Sequence, residues 1–169
     1  GRSEVIAPAY TCPLVALAVA HCGLQLRLCD LRPDTLDMSR HHLRALCSER
    51  TLAVLPTHLC GRVADVDTAL DCARAVGAWV VEDAAQALGA RLRGEPVGWQ
   101  GDVGFYSLAV GKGLTTFEGG VLLARDPALR EALRETHAAS VRQDRGWELR
   151  RSLELLGYAA LYRPAGLDL

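Results

Sequence analysis

AWVVEDAAQALGA, residues 78–90, decides how the rest of the chain is read. A short apolar run closes on Asp83, which reads as a buried strand with an acid at its end. Further on, in FYSLAVGKGLTTFEGG (residues 105–120), Lys112 stands between Gly111 and Gly113 and is the only lysine in the chain. Every other basic side chain, histidine aside, is an arginine. Lysine can lose its proton and attack a carbonyl, which arginine cannot do at ordinary pH.

Working outward from this strand, apolar runs alternate with helical patterns. EVIAP (4–8) precedes a helix in TCPLVALAVAHCG that ends at Gly23, and LQLRLCD (24–30) reads as the next strand. RPDT reads as a turn, Ser39 as the cap of the helix RHHLRALC, and TLAVLP (51–56) as a buried strand that Pro56 ends. Asp65 caps VDTALDCARAVG, which closes at Gly77. VGFYSL and GGVLLAR are two further strands around the lysine loop. Asp126-Pro127 opens a helix to about His137, and a last helix spans Trp147 to Tyr162. Repeated strand–helix units with nearly continuous apolar strands predict an α/β fold. It is a three-layer α/β/α arrangement with a mostly parallel sheet covered on both faces. In such sheets ligands collect beyond the carboxyl ends of the strands. Tyr10, Cys12, His58, Asp83, Ser107 and Lys112 are all expected on that one rim.

Composition narrows the function classes. At 169 residues, half of them hydrophobic and 23% charged, the chain is a globular domain rather than a disordered one. A net charge of −1 offers no basic surface for nucleic acid or an anionic membrane. The arginines of RQDRGWELRRS are interleaved with acids and read as a solvated helix face. The six cysteines form no CxxC pair and no zinc spacing, so no metal site is expected. Most lie in apolar runs and are expected to be buried thiols of a reducing, cytoplasmic setting. His41-His42 is not a metal pair, because adjacent helical residues face apart. CPLVALAVAHCGL is too short to span a bilayer. The chain opens directly on a strand without an initiator methionine and closes on RPAGLDL, so a fragment of a longer protein is expected.

An amine nucleophile, an acid and a hydroxyl beside backbone N–H groups are the parts that a pyridoxal phosphate site needs. An acid and a lysine at this separation are common, so spacing alone does not establish one. The motifs carry more. EVIAPAYTCP, DLRPDTLDM, LPTHLCGRVADVD, WVVEDAAQALGA, VGWQGDVGFYSLAVGKGLTTFEGG and VLLARDPAL, taken in that order, resemble the DegT/StrS family of pyridoxal phosphate-dependent sugar aminotransferases. The resemblance covers roughly the first three quarters of the chain.

It implies the large domain of a type I, aspartate-aminotransferase-like fold. Residues 1–169 would be a partial large domain that lacks the family's N-terminal helix and C-terminal small domain, with 140–169 a divergent helical extension. It also implies that Lys112 is the Schiff-base lysine and Asp83 the acid at the pyridine nitrogen. Gln86 would lie near the phenolic oxygen, Ser107 at the phosphate, and Cys12 against the ring where the family has an aromatic side chain. Tyr10 or Pro13 could supply that stacking instead. His58, Tyr10 and Glu118 are weaker candidates on the substrate side. Gly119-Gly120 match the turn after the lysine loop, and Gly113 stands where the family has Asn.

The implied activity is transfer of an amino group from an amino acid, glutamate by resemblance, to a keto sugar carried on a nucleotide. Such chemistry serves polysaccharide or antibiotic sugar biosynthesis. The implied assembly is a homodimer when full length. Two alternatives stand beside it: a non-catalytic or truncated relative that keeps the fold, and a sugar dehydratase of the same family, which Lys112 argues against because those enzymes carry His there. Each residue also has a plainer reading. Lys112 could be an exposed loop lysine, Asp83 a helix cap, Gln86 a surface amide, Ser107 a core hydroxyl and His58 a structural histidine.

Overall fold

The computed structural model describes residues 1–162. In chain order the elements are β1 (Glu4–Pro8), α1 (Pro13–His21), β2 (Gln25–Cys29), α2 (Arg40–Leu46), β3 (Thr51–Val54), a 3-10 turn (Leu59–Gly61), α3 (Val66–Ala75), β4 (Trp79–Asp83), β5 (Arg91–Leu92), β6 (Glu95–Pro96), β7 (Val103–Ser107), β8 (Gly120–Leu123), α4 (Pro127–Ser140) and α5 (Arg145–Leu161). Six strands form one sheet in the order β2-β1-β3-β4-β7-β8. The first five run parallel, and β8 pairs antiparallel to β7 with Ser107 opposite Gly120. The antiparallel edge follows from the lysine loop, which folds back without a crossover helix. The small β5–β6 hairpin was not expected from the sequence.

The helices start where capping side chains satisfy their free N–H groups. Ser39 Oγ accepts from His42 N, Asp65 from Thr68 N at 3.0 Å, Asp126 from Ala128 N at 2.8 Å and Asp144 from Trp147 N at 2.9 Å. Pro127 sits in the first turn of α4, where its missing N–H costs nothing.

Strand alternation sends β1, β3 and β4 side chains to two different layers. Ile6, Val54 and Val80 meet Leu43, Val66, Ala69, Cys72 and Ala73 of α2 and α3. Val5, Ala7, Ala53 and Leu55 pack on the other side against Val15 and Val19 of α1. A third cluster joins Ala84, Ala87, Val97 and Tyr106, whose hydroxyl donates to the Val97 carbonyl. The expected three layers therefore hold from β2 to β4.

They do not hold at the other end. Val121 and Leu122 of β8 are 42% and 55% exposed, and neither α4 nor α5 buries a residue. Helix α5 touches the rest chiefly through the turn after the lysine loop. There Arg151 pairs with Glu118, and Tyr158 meets Phe117 edge to face at 5.6 Å. Residues 163–169, which are the whole of RPAGLDL and the tail of the expected 140–169 extension, lie outside the described residues.

The cysteine expectation needs correction. Cys29 and Cys72 are buried and Cys47 half-buried, but Cys12, Cys22 and Cys60 are exposed, because they fall at helix and turn ends rather than on inward faces. Burial pushes the Cys29 and Cys47 thiols up to about 11, which leaves them protonated and inert. Among the described residues no helix is long and apolar enough to cross a membrane, and no His/Cys/Asp/Glu group could hold a metal.

Candidate active site

Strand β4 delivers two adjacent carboxylates to opposite faces of the sheet. Asp83, its last residue, is 4% exposed, and one carboxylate oxygen accepts from Ala85 N at 3.0 Å. Among the described residues its other oxygen has no partner. Burial pushes its carboxyl above the usual range, against the opposing pull of the Ala85 N–H and the charge of Lys112. A buried acid satisfied on one side only is poised to receive a cationic N–H.

Its neighbour Glu82 was not singled out by sequence reasoning. It is fully buried and accepts four hydrogen bonds: from His58 Nε2 at 3.0 Å, Gly98 N at 2.9 Å, Gln100 N at 2.6 Å and Gly101 N at 2.5 Å. Burial alone would raise its pKa, but the His58 hydrogen bond and the Gly101 and Gly98 N–H groups outweigh it and hold the carboxyl low. The available signal was a charged residue inside an apolar strand, followed sixteen to nineteen residues later by a glycine-rich loop. That loop lies so close that a Cβ at Gly104 would collide with the Gly98 carbonyl.

The lysine loop runs from β7 to β8. Its ends are zipped by Leu108 N to Gly119 O at 3.0 Å and Val110 N to Phe117 O at 3.1 Å, and Gly111 takes a left-handed φ of +84°. Lys112 thus projects into a cavity of about 330 Å³ lined by Cys60, Ala85, Gln86, Ser107, Gly111 and Lys112 itself. Its ammonium has no hydrogen-bond or ion-pair partner among the described residues. Gln86 is exposed, and its Oε1 accepts from Cys60 N at 3.0 Å, so its Nε2 is the group left to donate into the cavity. Ser107 Oγ accepts from Ala109 N at 3.3 Å, which leaves its O–H free to donate.

The sequence candidates separate accordingly. Lys112, Gln86 and Ser107 line one cavity together with Ala85, whose N–H the Asp83 carboxylate accepts; Asp83 itself is not part of the lining. Tyr10 and Cys12 do follow the carboxyl end of β1, but both are exposed and neither lines the cavity. His58 is corrected from a substrate-side residue to a structural one. It is wholly buried, Nδ1 accepts from Ala64 N at 3.0 Å, and Nε2 is committed to Glu82. Glu118 faces Arg151 of α5 instead of the cavity.

A parallel sheet whose carboxyl rim gathers an unpaired lysine and a buried acid is the framework of type I pyridoxal phosphate aminotransferases. The sequence matches the DegT/DnrJ/EryC1/StrS aminotransferase family over residues 1–160, and the chain belongs to that family. It is 39% identical over 131 residues to GDP-perosamine synthase of Caulobacter vibrioides, covering 78% of this chain and 35% of that protein. It is 39% identical over 134 residues to L-glutamine:scyllo-inosose aminotransferase of Streptomyces griseus, covering 79% and 31%. Among solved structures, DesI in the presence of its TDP-sugar product superposes with a TM-score of 0.77 at 33% identity, covering 81% of this chain and 35% of that one. DesV of S. venezuelae in complex with a ketimine intermediate gives 0.75 at 36% identity, covering 85% and 39%. The chain spans about a third of the length of the curated relatives it matches.

The family's cofactor is pyridoxal phosphate, and the residues present fit it. Asp83 offers a half-satisfied buried carboxylate for the ring N–H, Gln86 a free amide donor, Ser107 a free hydroxyl, and Lys112 an unpaired amine in the same cavity.

Proposed function

We propose that this chain is part of an aminotransferase that moves an amino group from an amino acid to a keto sugar, with Lys112 as the catalytic lysine. The observation that carries the reading is the unpaired Lys112 side chain in a cavity shared with Gln86 and Ser107, near enough to the buried Asp83 for its charge to act on that carboxyl. Bound pyridoxal phosphate would supply an electron sink for the donor's α-carbon. The Lys112 amine would bind the cofactor's aldehyde carbon and, once displaced, carry a proton to and from the donor's α-carbon. Asp83 would hold the proton at the ring nitrogen, its buried negative charge favouring the cationic N–H. Gln86 would donate through Nε2 to the phenolic oxygen, and Ser107 would donate to the phosphate.

Relatives bear the names of GDP-, UDP- and TDP-linked sugar enzymes and of L-glutamine-dependent ones. A nucleotide-linked keto sugar and a glutamate or glutamine donor are therefore the substrates to assay. A cytoplasmic homodimer is the proposed setting. The test is an absorbance spectrum of the full-length protein with pyridoxal phosphate, then borohydride reduction and peptide mapping. A reduced adduct on Lys112, lost in Lys112→Ala together with turnover, supports the assignment. Turnover retained in Lys112→Ala defeats it.

A second reading is a regulatory relative that binds the cofactor without turnover. It is favoured by 35% identity over 132 residues to the pleiotropic regulatory protein of Geobacillus stearothermophilus. An adduct on Lys112 with no amino transfer to any nucleotide-linked keto sugar would select it.

A further inference from the structure

From the buried hydrogen bonds behind the cavity we infer that Glu82 and His58 form a positioning pair, which sets the places of Asp83 and Gln86 through the single turn 57–60. The inference rests on the proposed cofactor site. His58 and Cys60, two residues apart, hold the backbone of Asp83 and the side-chain amide of Gln86 respectively. The His58 backbone N–H donates to the Asp83 carbonyl at 2.9 Å, and Asp83 N donates to the Pro56 carbonyl at 2.9 Å. The Cys60 N–H donates to Gln86 Oε1 at 3.0 Å. The residue that would meet the ring nitrogen and the amide that would meet the phenolic oxygen are therefore held by the same few residues of backbone.

That turn is under conformational load. Cys60, which is not glycine, takes a φ of +52°, and Gly61 follows at +79°. The polar side chain that holds the turn down is the His58 ring. It is pinned on Nδ1 by Ala64 N and on Nε2 by Glu82. Glu82 in turn is fixed by three N–H groups of the 98–101 loop. Because Nδ1 accepts, Nε2 must donate, and every group that meets Glu82 is a donor. The pocket accepts a carboxylate and rejects its amide isostere. In Glu82→Gln the new NH₂ would face a donor with nothing to receive it, and His58 could not change tautomer without losing Ala64. The ring would shift, and the turn would carry Asp83 and Gln86 with it.

The experiment uses the full-length protein and compares Glu82→Gln with Leu43→Ala, which damages the core of the same sheet without touching the network. Amide hydrogen exchange is read first, without cofactor. Glu82→Gln is expected to speed exchange at His58, Cys60 and Asp83 at least tenfold relative to Val54, whereas Leu43→Ala loosens these amides together with Val54. Pyridoxal phosphate is then added. Glu82→Gln is expected to weaken its binding at least tenfold and to shift the pH midpoint of its bound absorbance, with borohydride still labelling Lys112. Leu43→Ala should leave that midpoint in place.

Uniform exchange in Glu82→Gln, or an unmoved midpoint and dissociation constant, overturns the inference. If Glu82→Gln does not fold, the same readings on Glu82→Asp, which keeps the charge but withdraws it by one methylene, decide by the same criteria. Absence of any Lys112 adduct in the unmutated protein would defeat the proposed function instead, while the exchange measurement would still decide whether the pair holds Asp83.

Discussion

The two ends of the sheet are built differently. In the central strands β1 and β3, side chains are buried on both faces, and even the charged Glu82 of neighbouring β4 is enclosed with its partners. From β7 onward, the lysine loop, β8, α4 and α5 are largely exposed and held by surface ion pairs and backbone turns. The proposed acid, Asp83, belongs to the first region and the proposed nucleophile, Lys112, to the second. The division suits the chemistry. A ring-nitrogen acid must not move, because its charge acts through distance and orientation. A lysine that binds a carbonyl carbon, leaves it and then carries a proton needs freedom, and a loop flanked by Gly111 and Gly113 gives it.

The largest effect should come from the exposed region. Lys112→Ala is expected to lower turnover of the full-length enzyme by more than about 10²–10⁴-fold, the range for losing a positioned proton carrier, because the carbonyl-binding amine goes too. Its melting temperature without cofactor should scarcely change, since the Lys112 ammonium makes no bond among the described residues. A large loss of stability would break the division drawn here.

Next is Glu82→Gln in the rigid region. Leaving buried donors unpaired should cost roughly 3–5 kcal/mol in denaturant unfolding. A cost below about 1 kcal/mol would mean that water enters the pocket.

A pair of leucines sharpens the comparison through packing alone. Leu43 is fully buried and Leu153 is 60% exposed. Leu43→Ala should cost about 2–5 kcal/mol, and Leu153→Ala should stay within about 0.5 kcal/mol. A large cost at Leu153 would show that α5 is covered in the full-length protein.

The smallest effect concerns pH. Glu82, held low, adds stability that is fully present above the ordinary carboxylate range and is lost as pH falls through its folded value. Asp83, held high, has the opposite sign. It costs nothing in acid and weakens the fold as pH rises through its folded value. Asp83→Asn should therefore raise the cofactor-free melting temperature modestly at neutral pH, with the gain fading in acid. The same change should impair the enzyme. No gain at neutral pH would mean that Asp83 is not penalised by burial.

Much of this was legible in the chain. Apolar runs of five or so residues placed the strands, the first four of them closed by Pro or an acid. Ser39, Asp65 and Asp126 marked helix starts because a capping side chain acts on backbone two or three residues away. The gathering of Gln86, Ser107 and Lys112 at one cavity was legible because Ser107 ends β7 and the other two lie in the loops after β4 and β7, and strand ends define the rim. What failed did so for reasons of distance. His58 and Tyr10 also follow strand ends, but one turns into the core and the other into solvent, and no local pattern distinguishes the two. Glu82 was overlooked because its meaning lies in three N–H groups sixteen to nineteen residues on and in a histidine 24 residues back.

The sequence by itself determined the succession of the main-sheet strands and the helices, most of their caps and the presence of one lysine between glycines, since all of these follow from neighbours along the chain. Only the tertiary structure decided which of two adjacent acids is satisfied and which is left half-paired. Strand alternation throws Glu82 and Asp83 to opposite faces, and what each meets there is chosen by the packing of segments far away in sequence.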